Sequence, residues 1–287
     1  MRITGFGACM IKGAWVDAGQ SFFDLFVNQI SMNGLDEVKS EVISLKGFTA
    51  ERAVRHIGKV VKSDPDIVIV QFGTSDCYIP VRKRLRVKCG LDGSSKGNSN
   101  STFLSSALTR PRSFNILDDA RWLISGLMSY TLSLSPMSTP DVYVASIESL
   151  IKTLTNNKIV PIVLSPFVLK NFASNRFARQ LTDRIRSLTE KYDFMFVDCH
   201  QALSKYSKRD VLLPTGIHLN ALGHRVVFEE IWNVYRNNFR TLPELSVMRD
   251  SVQDCVHQAS NSQKLLGILQ NKQVLRVPEG FSRHSSP

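Results

Sequence analysis

A chain of 287 residues, 43% of them apolar, can bury a sizeable core as one large domain or two small ones, and has the balance of an ordinary soluble globule. Its net charge of +11 admits nucleic acid, anionic glycans or a membrane surface as partners, but no basic helix with interleaved aromatics is present, which argues against nucleic acid. The longest apolar region, 122–137, is interrupted by Ser125, Ser129, Thr131, Ser133 and Ser135, and is too short and polar to span a bilayer.

The N-terminus runs straight into an apolar, Gly-terminated segment at 2–7, which reads as a buried first strand and not as a secretory leader. Phe22, Leu25, Phe26 and Ile30 then recur at helical spacing. A second strand is expected over 41–45, and Thr49 opens a helix with Val54, Ile57 and Val61 on one face. After the turn at Asp64-Pro65, residues 67–72 form the clearest strand; its near-continuous apolar character predicts burial on both faces, as in a parallel sheet. Helix over 143–154, strand over 159–164, helix over 175–191, strand over 194–197 and helix over 226–235 complete the series. Such alternation predicts an α/β three-layer sandwich: a flavodoxin-like parallel sheet of about five strands flanked by helices.

Two regions break the alternation. Residues 77–140 are far longer than an ordinary connection; they open with Arg82, Lys83, Arg84, Arg86 and Lys88 and pass through a Gly/Ser/Asn run at 90–101 before a helix over about 120–130. Past 240, Leu245, Met248, Val252, Cys255 and Ala259 keep a helical stripe, and a polar tail expected to be disordered follows from about Pro278. The expected organisation is therefore an α/β domain over 1–240 with a basic insertion at about 77–140, then a C-terminal helix and tail over 241–287. The five cysteines, Cys9, Cys77, Cys89, Cys199 and Cys255, are odd in number and lack paired metal spacing, so free thiols in a reducing cytoplasm are expected.

In an open parallel sheet, ligands bind beyond the carboxyl ends of the strands. Gly7-Ala8-Cys9 follows the first strand there, Gly47 the second and Gly73-Thr74-Ser75-Asp76 the third, while Thr215-Gly216-Ile217-His218 follows the fifth. Asn220 is placed to cap the helix after His218, so that histidine sits on a loop just before a helix start, where an imidazole reaches a cleft as a general base. A nucleophile, a glycine N–H, a hydroxyl donor and a base would then converge from distant segments.

These blocks resemble, in order, those of the SGNH (GDSL-type) hydrolases, and the resemblance runs from Met1 to about Tyr235. The family reads Gly-Asp-Ser where this chain has Gly7-Ala8-Cys9, a lone glycine at Gly47, Gly-x-Asn-Asp at Gly73–Asp76 and Asp-x-x-His at Thr215–His218. Cys9 thus stands at the nucleophile position, Ser75 at the oxyanion asparagine and Thr215 at the triad aspartate. The resemblance implies an esterase that removes acyl groups from a carbohydrate or small metabolite through Cys9 and His218. Thr215 would orient the imidazole, and the N–H groups of Gly47 and Cys9, with Ser75, would hold the oxyanion. No metal or cofactor is implied.

The alternatives at each position are structural. Cys9 is either a thiol activated by a helix N-terminus and His218, or a small buried apolar residue. Ser75 is either a short-reach donor or a turn residue, and Asp76 either meets substrate or braces its loop. Asp210 could replace the missing carboxylate only if its loop folds back. His224 is expected to pack on the helix start and His200 to be a satisfied structural histidine. Arg82 and Arg84 either overhang the cleft and attract an anionic substrate or belong to a solvated loop. Two other functions remain open: a non-catalytic member that keeps the cleft for binding, and an acyltransferase that passes an acyl group from Cys9 to a sugar hydroxyl.

Overall fold

The computed structural model describes residues 1–33, 37–81, 85 and 116–239. Five parallel strands, β1 (Arg2–Gly7), β2 (Lys39–Ser44), β3 (Ile67–Gln71), β4 (Val160–Leu164) and β5 (Met195–Val197), lie in the order β2-β1-β3-β4-β5. This is the flavodoxin-like order, with β1 and β3 side by side, as the alternation predicts. All residues of β3 are buried. Ile67 and Ile69 face one helical layer and Val68 and Val70 the other, so one strand feeds two cores.

The first layer holds α1 (Phe22–Met32) and a long last helix, Ala221–Phe239, whose Val227, Ile231 and Tyr235 meet Phe22, Phe26 and Ile30 under the sheet. The second holds α2 (Ala50–Val54), α3 (Ile57–Lys62) and a short α4 (Thr74–Cys77) and, beyond α5 (Ile116–Thr131), which meets Phe172, also α6 (Pro140–Asn156) and α7 (Phe172–Arg186). Here Tyr143, Ile147, Leu150, Ile151 and Leu154 of α6 pack with Ala178, Leu181 and Ile185 of α7. Between β5 and the last helix come two short helices, α8 (Cys199–Ser204) and α9 (Lys208–Val211), so Ala221–Phe239 is α10.

Several helices begin earlier than apolar spacing alone indicates, because polar caps set the ends. Thr139 Oγ1 accepts from Val142 N ahead of Pro140, Asn171 Oδ1 accepts from Ser174 N, and Asn220 Oδ1 accepts from Gly223 N. The helix expected from Thr49 is divided into α2 and α3 at Arg55 and His56, where the His56 ring tilts against Phe48 at 5.5 Å. Of the basic insertion, α5 is described; Arg82, Lys83, Arg84, Arg86, Lys88 and the Gly/Ser/Asn run lie outside the described residues, as does the stripe past 240. Among the described residues, no helix is long and apolar enough to cross a membrane.

Candidate active site

The carboxyl edge of the sheet is tied together before any side chain acts. Ala8 N donates to the carbonyl of Gln71 at 3.1 Å, Leu45 N to the carbonyl of Gly7 at 2.8 Å, and Ser44 Oγ to the carbonyl of Ala8 at 3.1 Å. The ends of β1, β2 and β3 are thereby held in one cluster. Cys9 opens a 3-10 turn (Cys9–Lys12) directly after β1 and is partly exposed, whereas Cys77 and Cys199 are fully buried.

His218 arrives from the other end of the chain on a small fixed hairpin. Leu212 and Leu219 form an antiparallel bridge, Leu213 N donates to the carbonyl of His218 at 2.8 Å, and Lys170 N to the carbonyl of Gly216 at 2.9 Å. A side chain at Gly216 would collide with the Trp122 ring and Lys170, so α5 lies directly on this loop. Asp119 of α5 adds ion pairs to Lys170 and Arg209.

The two segments meet: Cys9 Sγ lies 3.4 Å from His218 Nε2. On the far side of the ring, Nδ1 lies 3.1 Å from Thr215 Oγ1, which also accepts from His218 N at 3.3 Å. With Nδ1–H donating to Thr215, Nε2 is left as the acceptor for the thiol proton. Asp210 does not fill the carboxylate's place: it is exposed, and its carbonyl accepts from the Asn220 amide.

Electrostatics differ from the activated thiol that a helix N-terminus and a histidine suggest. Burial pushes the Cys9 thiol above its ordinary value, and the Cys9 and Met10 N–H groups and the Lys46 charge pull it back only in part. Burial also takes His218, 3% exposed, down to about 4. Among the described residues no acid offsets that burial, so the resting pair is neutral thiol and neutral imidazole.

The remaining positions divide. Gly47, with φ 66°, follows Lys46 in the turn bonded to the end of β1, on the Cys9 side of the edge. Ser75 is partly exposed in the first turn of α4. Asp76 is not at the cleft: fully buried, it accepts from Gly73 N at 3.1 Å, Ala50 N at 3.1 Å and Ser138 Oγ at 2.7 Å. Burial raises it to about 6 against the pull of those donors. It braces the loop after β3. The same loop needs Gly73, at φ 111°, where a Cβ would lie 2.5 Å from Pro166 and 2.6 Å from Tyr143 Oη.

His224 packs at the start of α10, its Nδ1 accepting from Phe22 N at 3.2 Å and its ring stacked on Phe22. His200 is buried as expected, but its Nε2 has no partner among the described residues, so it is not fully satisfied. Three neighbours of the site escape a reading of motifs: Trp15, whose ring meets His218 edge-on at 6.4 Å, Lys46 and Trp122. Lys46 adjoins a motif glycine and so had a positional signal; the two tryptophans had none. The surface hollow lined by Met1, Arg2, Glu37, Lys39, Asp64 and Asp66 lies at the opposite, amino edge of the sheet.

The fold recurs in known structures. A lipase/acylhydrolase from Enterococcus faecalis superposes with a TM-score of 0.55 at 16% identity, covering 83% of this chain and 96% of that one. A catalytic mutant of Axe2, an acetylxylan esterase from Geobacillus stearothermophilus, gives 0.52 at 13% identity over 81% and 93%. The esterase EstA from Pseudoalteromonas sp., inhibited by monoethylphosphonate, gives 0.53 at 11% over 83% and 98%. No curated protein sequence matches the chain. The sequence profile of the GDSL-like lipase/acylhydrolase family matches residues 6–226, which spans every segment that builds the Cys9–His218 edge, and the chain therefore belongs to that family.

Proposed function

We propose that this hydrolase is an esterase that works through a Cys9–His218 dyad and a thioester intermediate. The observation that carries the proposal is the 3.4 Å approach of Sγ to Nε2, with Nδ1 held from behind by Thr215. The thiol proton passes to Nε2 as Sγ attacks the ester carbonyl carbon. The oxyanion that forms is met by the N–H groups of Cys9 and Gly47 and by the Ser75 hydroxyl. Collapse breaks the carbon–oxygen bond, the imidazolium returns its proton to the departing alcohol, and the acyl group is left on sulfur. His218 then takes a proton from water, whose oxygen attacks the thioester; the acid leaves and the thiol is restored.

The substrate class we infer is an accessible ester. Thr215 stands behind the base where the family has an aspartate, and a thiol needs less help than a hydroxyl to ionise. An accessible acyl ester of a small metabolite or carbohydrate suits it, and the likeness to an acetylxylan esterase supports the carbohydrate. Hydrolysis of p-nitrophenyl acetate tests the reading: activity should resist a fluorophosphonate, be lost to iodoacetamide and disappear in Cys9→Ala. Supplying a sugar acceptor separates hydrolysis from acyl transfer.

The second reading is a cleft that binds without turnover, and burial's upward push on the Cys9 thiol favours it. It predicts no iodoacetamide-sensitive hydrolysis at all.

A further inference from the structure

Four non-glycine residues of the described chain have positive φ: Trp15, Asp64, Ser133 and Lys158. Asp64, Ser133 and Lys158 each lie just past the end of a helix, where the chain commonly turns through the left-handed region. Trp15, at φ 77°, does not. It is the third residue of a four-residue turn closed by Val16 N donating to the Gly13 carbonyl at 3.2 Å. Positive φ at that position of a turn is ordinarily supplied by glycine, and a bulky side chain there is a strained outlier.

The first half of the turn is held on two sides. Ala14 N donates to the Cys9 carbonyl at 3.3 Å, and a Cβ on Gly13 would lie 2.6 Å from Ser21 Cβ at the cap of α1. Backbone geometry gains nothing from an indole at this place. What the indole gains is His218: the two ring centroids are 6.4 Å apart at an interplanar angle of 70°. The polar contacts of the imidazole are both at its nitrogens, Thr215 at Nδ1 and Cys9 at Nε2, and neither packs against the ring itself. A ring set edge-on to the imidazole adds a packing restraint on its rotation about the Cβ–Cγ bond.

We propose that Trp15 is a positioning residue for the reaction: held in a strained turn, its indole fixes the plane of His218 so that Nε2 stays aimed at Cys9. The proposal rests on the Cys9–His218 reading. It accounts for a tryptophan in a glycine position, and for a general base that keeps its aim without a carboxylate.

The test is a double-mutant cycle on the rate of Cys9 alkylation by iodoacetamide, resolved by peptide mass spectrometry, so that any change in access to the thiol cancels. His218→Ala should slow alkylation in the wild type, and this factor should shrink about 2- to 10-fold in a Trp15→Gly background, the range set by one aromatic pair. Trp15→Phe should restore most of it. Because glycine relieves the turn, Trp15→Gly should leave the melting temperature unchanged or raise it. An undiminished His218→Ala factor in Trp15→Gly overturns the proposal. So does a lowered melting temperature without rescue by phenylalanine, which assigns the indole to the fold. If His218→Ala has no effect even beside Trp15, the dyad reading fails, and NMR of the His218 ring protons then decides on Trp15. Signals that shift and broaden in Trp15→Gly uphold the restraint; unchanged signals refute it.

Discussion

Replacing Thr215 by aspartate tests the logic of the site most sharply. The hydroxyl oxygen lies 3.1 Å from Nδ1 and accepts from His218 N, so a carboxylate there inherits both donors. At present burial alone sets the imidazole at about 4. An opposite charge in contact raises such a group by about one to three units, which brings His218 to between roughly 5 and 7. Each unit is about 1.4 kcal/mol in favour of the imidazolium that forms when the thiol is deprotonated. If that step limits turnover, kcat on p-nitrophenyl acetate should rise about tenfold or more at neutral pH. The assay pairs an NMR titration of the His218 Cε1 proton with steady-state kinetics. A His218 that still titrates near 4 would refute the geometry behind Nδ1. A raised value with no change in turnover would refute the dyad as the reacting pair and leave a binding cleft.

Other outcomes follow from the same contacts. The folded state holds His218 neutral to about 4 against an ordinary 6.5, so unfolding takes up a proton between these values and stability falls as pH drops through the window. By chemical denaturation, wild type should lose about 3 kcal/mol relative to His218→Gln between pH 7 and pH 4; parallel pH profiles would contradict the burial. Asp76→Ala leaves the buried donors of Ala50, Gly73 and Ser138 without their acceptor, and should cost at least about 3 kcal/mol, with Asp76→Asn costing less; a neutral effect would show the brace to be dispensable. Asp76 carries the opposite sign to His218: its proton is held up to about 6, so its contribution to stability falls as pH rises from about 4 to 6 and is level above. Gly73→Ala, strained at φ 111° and 2.5 Å from Pro166, should depress the melting temperature by several degrees, and an unchanged transition would argue against the close approach.

The sheet was legible because its signal is local. Ile67 to Gln71 is apolar at every position but the last, and a strand of that character has to be buried on both faces. Helix ends were less so, since Thr139, Asn171 and Asn220 set them through single side-chain bonds that apolar spacing does not register. The approach of Cys9 to His218 could be expected from motif order alone, although 209 positions separate them. What could not be read was anything that depends on surroundings. Burial decides the thiol's direction against the helix N-terminus and the histidine, and decides that Asp76 faces inward. Trp15 is invisible for another reason: no sequence pattern marks a tryptophan that takes a glycine's backbone conformation because its ring has a histidine to hold.

The central claim is that Cys9 carries the acyl group. Acid-quenching the protein during turnover of p-nitrophenyl acetate and mapping its peptides by mass spectrometry tests this directly. The account predicts an acetyl group on Cys9 that hydroxylamine removes, absent from Cys77 and Cys199 and absent in His218→Ala. Turnover without acetyl-Cys9, or turnover that persists in Cys9→Ala, would contradict it.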